Sequence, residues 1–187
     1  MVGRKLATVL FGLCILTGPA LAAKVEGVKF PGKVKAGGQT LIFNGGGKRT
    51  FYGIGIYVAA LYLKQKSADA AKIVGSDEPV DVRLQINSMM VTSDNMASGF
   101  LEAFKNNSTL NTVAIKPQID AFVATFKGLH NHDIYDLAYI PGKGVQVSRN
   151  DQTLSVIQGV NFKKALYGIW LGQKPVQKDL KKRMLGK

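Results

Sequence analysis

Two hydrophobic rhythms alternate along the chain. A period of two suits strands, whose successive side chains point to opposite faces, and a period of three to four suits amphipathic helices. From Val25 to Gly46, "VEGVKFPGKVKAGGQTLIFNGG" reads as short strands broken by Gly and Pro. "FYGIGIYVAALYL", from Phe51 to Leu63, follows as one long buried strand rich in aromatic and branched residues. "SADAAKIVG" predicts a short helix with Ser67 as its N-cap and Gly75 at its end. "PVDVRLQINSMMV" alternates as a strand. "TSDNMASGFLEAFKNN" predicts a capped helix with Met96, Phe100, Leu101 and Phe104 on one face. "KPQIDAFVATFKG" repeats that pattern with Ile119, Phe122, Val123 and Phe126, and Pro117 falls early enough to be tolerated.

The period then returns to two. "HDIYDLAYIPGKGVQVSRNDQTLSVIQG" predicts a three-stranded antiparallel meander, with turns at Pro141-Gly142 and Asn150-Asp151. Two closing helices follow. "NFKKALYGIWLG" starts at an Asn161 cap and stops at Gly172, and "KPVQKDLKKRMLG" has Pro175 in its first turn and Gly186 at its end. Strands, helices, a meander and helices again make an α+β domain, with helices packed on one sheet. The chain has 187 residues, suited to one domain, with no internal repeat or low-complexity linker.

The N-terminus changes the picture of where the domain begins. Arg4-Lys5 precedes an apolar run from Leu6 to Leu16 and then "TGPALAAK", with Ala20-Leu21-Ala22 as a small-residue cleavage element. That order is the order of a signal peptide. The run of eleven residues is too short to span a bilayer, which takes about 20. Residues 1–22 are therefore expected to be a signal peptide and residues 23–187 the domain. The protein is expected to be exported, periplasmic in a Gram-negative cell or otherwise secreted. The one cysteine, Cys14, lies inside the apolar run, and "FGLC" is too bulky for a lipoprotein box. The processed chain then has no disulfide, no thiol nucleophile and no thiolate metal site.

Formal net charge is +13, or +11 without Arg4 and Lys5. Such a balance suits nucleic acid, an anionic membrane surface or an anionic ligand, and equally a basic soluble surface. Export and the scatter of the lysines argue against nucleic acid. Weak association with an anionic membrane surface stays open.

Few motifs carry chemistry. "GGGKRT" departs from a phosphate loop, because Arg49 separates Lys48 from Thr50 and a strand follows. His130, His132 and Asp133 stand at spacings a metal could use, but no further cluster supports them, so no metal and no cofactor is assigned. No G-x-S-x-G elbow occurs. Trp170 and Tyr167 read as core residues of an apolar helix.

Arg49 is different. Gly45, Gly46 and Gly47 would let the backbone turn sharply and approach another group closely. Gly53 and Gly55 suggest a bulge. An arginine placed there offers a fork of donors to a carboxylate or an enolate, and Tyr52, Tyr57 and Tyr62 could add phenols. Strict alternation puts Tyr57 on the parity of Arg49. One bulge at Gly53 or Gly55 would bring Tyr62 there instead. A solvated loop arginine is the alternative.

"NGGGKR" followed by "FYGIGIYVAALYL", then "YIPGKGVQV", then "FKKALYGIWLGQKPVQKDLKKRMLG" resembles the chalcone isomerase superfamily, in particular its bacterial exported branch. The resemblance runs from about Val25 to Gly186. It implies a large antiparallel sheet with helices covering one face, and a ligand cleft between them. In the true isomerases an arginine, a threonine and a tyrosine–asparagine pair line the site. Fatty-acid-binding relatives hold the carboxylate with the arginine and a tyrosine. Here the arginine is Arg49, Tyr52 takes the threonine's place, and the tyrosine–asparagine positions fall at Thr92 and Gly99. The binding branch's tyrosine falls at Tyr62.

Arg49, Tyr62, Tyr52, Tyr57 and Thr92 are thus the candidate ligand-binding residues. The expected function is non-catalytic binding of a small apolar carboxylate or lipid-like ligand, such as a fatty acid, with no cofactor. The alternatives are an intramolecular lyase acting on an aromatic enone, and an interaction module whose cleft is vestigial and filled.

Overall fold

The computed structural model describes residues 22–106 and 112–187; the proposed signal peptide lies almost wholly outside them. The first elements, β1 (Ala23–Val25) and β2 (Val28–Phe30), form a small antiparallel hairpin. The main sheet has seven antiparallel strands in chain order: β3 (Lys33–Ala36), β4 (Gln39–Phe51), β5 (Ile54–Leu63), β6 (Val80–Ile86), β7 (Ile134–Ile140), β8 (Gly144–Arg149) and β9 (Gln152–Ile157). Helix α1 (Ala70–Gly75) joins β5 to β6, and α2 (Ser93–Asn106) and α3 (Lys116–Ala124) lie between β6 and β7. Helices α4 (Val160–Leu171) and α5 (Lys178–Met184) close the chain.

The expected α+β architecture is the observed one, and alternation decides which residues meet the helices. Tyr57, Ala59, Leu61 and Leu63 of β5, with Val80, Val82, Leu84 and Ile86 of β6, face α2 to α5 in the main core. Val58, Ala60 and Tyr62 face the other way, toward Val28, Phe30, Ala36 and Leu41. The sheet curls, so that β3 comes over this second face and touches β7. Gly37 makes the curl close, since a Cβ there would stand 2.6 Å from Ile140 Cγ2.

An aromatic layer fills the space between sheet and helices. Phe100 of α2 stacks on Phe126 at 5.0 Å and meets Phe122 and Trp170 edge-on at 5.0 and 5.9 Å. Helix α4 is buried from Lys163 to Leu171 except Lys164. The Lys163 ammonium donates to the carbonyls of Ile73, Val74 and Ser76 at 3.3, 2.7 and 2.7 Å. It thereby satisfies the end of α1, where helix carbonyls lack partners and favour a cation.

Several local expectations shift. The glycines 45–47 do not turn but run through the middle of β4, and the chain reverses at Tyr52-Gly53 instead. Asp69, not Ser67, caps α1. Gly159, not Asn161, precedes α4, and α5 begins after Gln177, beyond Pro175. Leu101 is exposed on α2, and Ala103 is buried in its stead.

Candidate functional site

The β4–β5 hairpin builds the site. Its turn residues, Tyr52 and Gly53, both have positive φ, +48° and +80°, the combination that a two-residue hairpin turn uses to match strand twist. Two bulges follow. Asn44 is the extra residue on β4 and Ile56 the extra residue on β5, so the register pairs Arg49 with Tyr57. Residues directly opposite in a ladder share a face. Arg49 therefore projects toward the helices.

The glycine run explains how α5 reaches this strand. A Cβ at Gly45 would lie 2.2 Å from the Arg183 carbonyl oxygen, and one at Gly47 would lie 3.2 Å from Leu180 Cδ1. Bare backbone at these positions admits the helix. Asn44 locks the contact, donating to the Met184 carbonyl at 2.8 Å and to the Ser67 carbonyl at 3.0 Å.

Gln177, just before α5, holds the Arg49 segment. Its amide accepts from the Thr50 N–H at 3.0 Å and donates to the Lys48 carbonyl at 3.2 Å. In effect it adds one rung to the edge of β4, whose pairing with β3 stops at Ile42. Arg49 Nη1 donates to the Thr50 carbonyl and lies 3.4 Å from Gln177 Oε1, and the guanidinium sits 5.7 Å from the Phe51 ring centre.

Behind Arg49 lies Tyr57, which accepts a hydrogen bond from Trp170 Nε1 at 3.0 Å. Burial pushes the Tyr57 phenol up to about 12, against the smaller opposing pulls of the Trp170 bond and of Arg49. Trp170 is a core residue as expected, and it also orients the phenol, a role its apolar helix did not signal.

The other candidates are not brought to Arg49. Tyr62 stands on the opposite face of the sheet, its hydroxyl donating to the Pro31 carbonyl at 2.9 Å. The reason is the place of the bulge: Ile56 precedes Tyr57, and from Tyr57 to Tyr62 the strand alternates regularly. Tyr52 is 91% exposed at the turn, its ring against Phe51. Thr92 is exposed and caps α2 in a reciprocal pair, its Oγ1 accepting from the Asn95 N–H while Asn95 Oδ1 accepts from the Thr92 N–H. Asp133 braces a turn through the His130 N–H and the Asn150 side chain.

Two cavities are prominent, and neither lies between the sheet and the helices at Arg49. One, of about 380 Å³, is an open groove beside β1 and the end of α5, at Val25, Phe43 and Arg183. The other, of about 350 Å³, lies inside the curl of the sheet, lined by Lys33, Asp81, Arg83, Asp136, Gln146 and Ser148. Arg83 makes a two-pronged ion pair with Asp136 at 2.6 and 2.9 Å. Asp81 is 2% exposed. Burial, and then the charge of Asp136, holds its carboxyl well above the usual carboxylate range. Asp81 and Arg83 alternate with apolar residues in "VDVRLQI", a pattern that signals a strand and does not distinguish an enclosed polar face from a solvent-facing one.

The family model described as chalcone isomerase-like matches residues 22–186. Among solved structures, the crystal structure of a fatty-acid binding protein from Arabidopsis thaliana is similar, with a TM-score of 0.71 at 16% identity. The match covers 85% of this chain and 92% of that one. No curated protein matches the chain in sequence. A family match over almost all the described residues, joined to the same curled sheet and helices, shows that the chain belongs to the chalcone isomerase-like family.

Proposed function

We propose that this protein is an exported, non-catalytic binder of a small apolar acid of the fatty-acid class, with Arg49 as the anchor for the carboxylate. The observation that carries the reading is the state of Arg49. Its segment is pinned by Gln177 on the helix-facing side of the sheet. Among the described residues it meets no carboxylate, and only Nη1 is engaged. Half of a planar donor fork is left for an anion. The fatty-acid binding protein that shares the fold supports the class of ligand.

The tail's path is the aromatic layer itself, so binding has to part α2 and α3 from the sheet. That filled layer also favours a second reading, an interaction module with no small ligand. A fatty-acid titration followed by thermal melting separates the two. The binder is stabilised as ligand exceeds its Kd; the interaction module is not.

Ring closure of an enone has less support. The Tyr57 phenol stays protonated at neutral pH, and Thr92 is engaged at a helix start. An absorbance assay with a simple hydroxychalcone is expected to show no turnover, and turnover abolished by Arg49→Ala would reverse that assignment.

The export reading rests on the order of charged, apolar and small residues from Arg4 to Ala22. Intact-mass measurement is expected to find Ala23 or Lys24 at the mature N-terminus. A mature species that retains Arg4 and Lys5 contradicts it.

A further inference from the structure

Among the described residues nine large hydrophobic side chains are exposed, and five of them sit on two neighbouring connections. Phe51, Tyr52 and Ile54 form the tip of the β4–β5 hairpin, and Met89 and Met90 lie in the connection from β6 to α2. Met89 is 89% exposed and Met90 67%. The two connections leave the same end of the sheet, where the Asn87 N–H meets the Ile56 carbonyl at 3.4 Å, two residues from Met89 and from Ile54. Singly exposed apolar residues are ordinary, but a contiguous apolar patch marks a binding surface.

The surroundings of the patch are basic. Lys48 and Arg49 lie directly behind the hairpin tip. Gln177 brings the exposed Lys174 and Lys178 beside the same strand through its bonds to Lys48 and Thr50. Of the nearby acids, Asp179 is paired with Arg183, and Asp94 lies in the first turn of α2. The apolar residues project from turn tips and do not line a groove, which suits a soft surface better than a protein helix or strand. Aromatic and methionine side chains ahead of a belt of Lys and Arg match the layering of an anionic bilayer, apolar beneath charged headgroups.

We propose that these two connections form a membrane-docking edge, inserting Phe51, Tyr52, Ile54, Met89 and Met90 into an anionic lipid surface while the flanking basic residues meet the headgroups. The contact stands on the exposed patch alone. It would also deepen the ligand reading, because docking places Arg49 at headgroup depth, where an acid leaving the bilayer would meet it first.

The test uses residues 22–187, the span that holds both sheets and the five helices of the described residues, in flotation with phosphatidylcholine vesicles and with mixed phosphatidylcholine–phosphatidylglycerol vesicles. The wild type is expected to float with the anionic vesicles, and less so as salt is raised. Tyr52→Asp, and Met89→Asp combined with Met90→Asp, should each weaken partitioning about tenfold or more, with unchanged melting temperatures. Asp suits the left-handed turn position of Tyr52, so the fold should tolerate it. Absence of wild-type flotation overturns the proposal. So does wild-type flotation that both tip variants retain, which would move the contact to the basic C-terminal helix. A dimer seen by light scattering and lost in the same variants would assign the patch to a second copy instead. Fatty-acid affinity measured without vesicles should be unaltered by the combined Met89→Asp and Met90→Asp variant. If no fatty acid binds while flotation behaves as described, the ligand reading fails and the docking edge stands.

Discussion

Arg49 and Tyr57 face one another across the β4–β5 ladder, on the side of the sheet that the helices cover. Tyr57 is tied to Trp170 of α4, and the Arg49 segment to Gln177 ahead of α5. One cross-strand pair is thus fixed from two helices, which places a cation at the margin of an aromatic core.

The glycine run is a packing device, and two substitutions separate it from glycine in general. Gly45→Ala would drive a methyl to 2.2 Å from the Arg183 carbonyl oxygen and 2.8 Å from that of Met184, both backbone atoms that cannot swing aside. A loss of about 3 kcal/mol or more in chemical denaturation is expected, with α5 displaced. Gly99→Ala should act oppositely. Gly99 lies within α2 with open space around it, and a helix-interior alanine is worth about 0.5–1 kcal/mol over glycine.

The polar row inside the curl should respond unequally to charge removal. Asp81 binds its proton more tightly in the folded state than in the unfolded one, because burial and Asp136 both raise its affinity for the proton. The folded state then keeps a proton that the unfolded chain releases above its ordinary value of 3.8. Stability from this group therefore falls as pH rises from that value toward the raised one. Asp81→Asn mimics the protonated acid and is expected to be neutral or stabilising at pH 7. Asp136→Asn breaks the paired bonds to Arg83 and should cost about 3 kcal/mol. Urea denaturation of both variants across a pH series checks the contrast.

Lys163 gives the opposite slope in the alkaline range. Burial pushes its ammonium down from 10.5 to about 8, assisted by Lys164. Between those values the unfolded chain holds a proton that the folded protein has released, so this group makes stability rise with pH across that window. Lys163→Met should remove that rise, and should cost about 3 kcal/mol at pH 7 by leaving the α1 carbonyls without their donor. Above pH 10 the tyrosines take over. The phenols of Tyr57 and Tyr139 are raised to about 12, the first by burial and the second chiefly by its bond to Asp77. A folded state that retains these protons loses stability as the pH climbs past 10. Denaturation midpoints from pH 7 to pH 11, for wild type and for Lys163→Met, measure both slopes.

Most elements were legible because hydrophobic period, caps and turn residues agree locally. The meander announced itself through Pro141-Gly142 and Asn150-Asp151, and the two left-handed φ values at Asn150 and Asp151 confirm that turn. The helix faces of α2 and α3 followed from Met96, Phe100, Ile119 and Phe122. The misreadings share one cause, which is that tertiary contact reassigns a local signal. Three glycines suggest a turn until a helix packs on them. Gly53 suggested a bulge but is the second left-handed residue of a two-residue turn, while the bulge falls at Ile56, a residue with no bulge signature. Turn and bulge together pair Arg49 with Tyr57, and the odd step of alternation from Tyr57 to Tyr62 puts Tyr62 on the opposite face. Asp81 and Arg83 alternate as solvent-facing residues do, and only the curl of β3 over the sheet encloses them.

Binding of a long-chain fatty acid to wild type and to Arg49→Ala, set beside an uncharged analogue of equal length, tests the central claim most directly. A charge-assisted hydrogen bond is worth roughly 1.5–3 kcal/mol, so Arg49→Ala should weaken the acid about tenfold to a hundredfold and leave the analogue almost unchanged. Tyr62→Phe should leave the acid's affinity alone, because that hydroxyl faces Pro31 on the other side of the sheet. Melting curves should show the Arg49 variant folded. If Arg49→Ala binds the acid as tightly as wild type, or fails to fold, Arg49 is a structural residue and the anchoring account is contradicted.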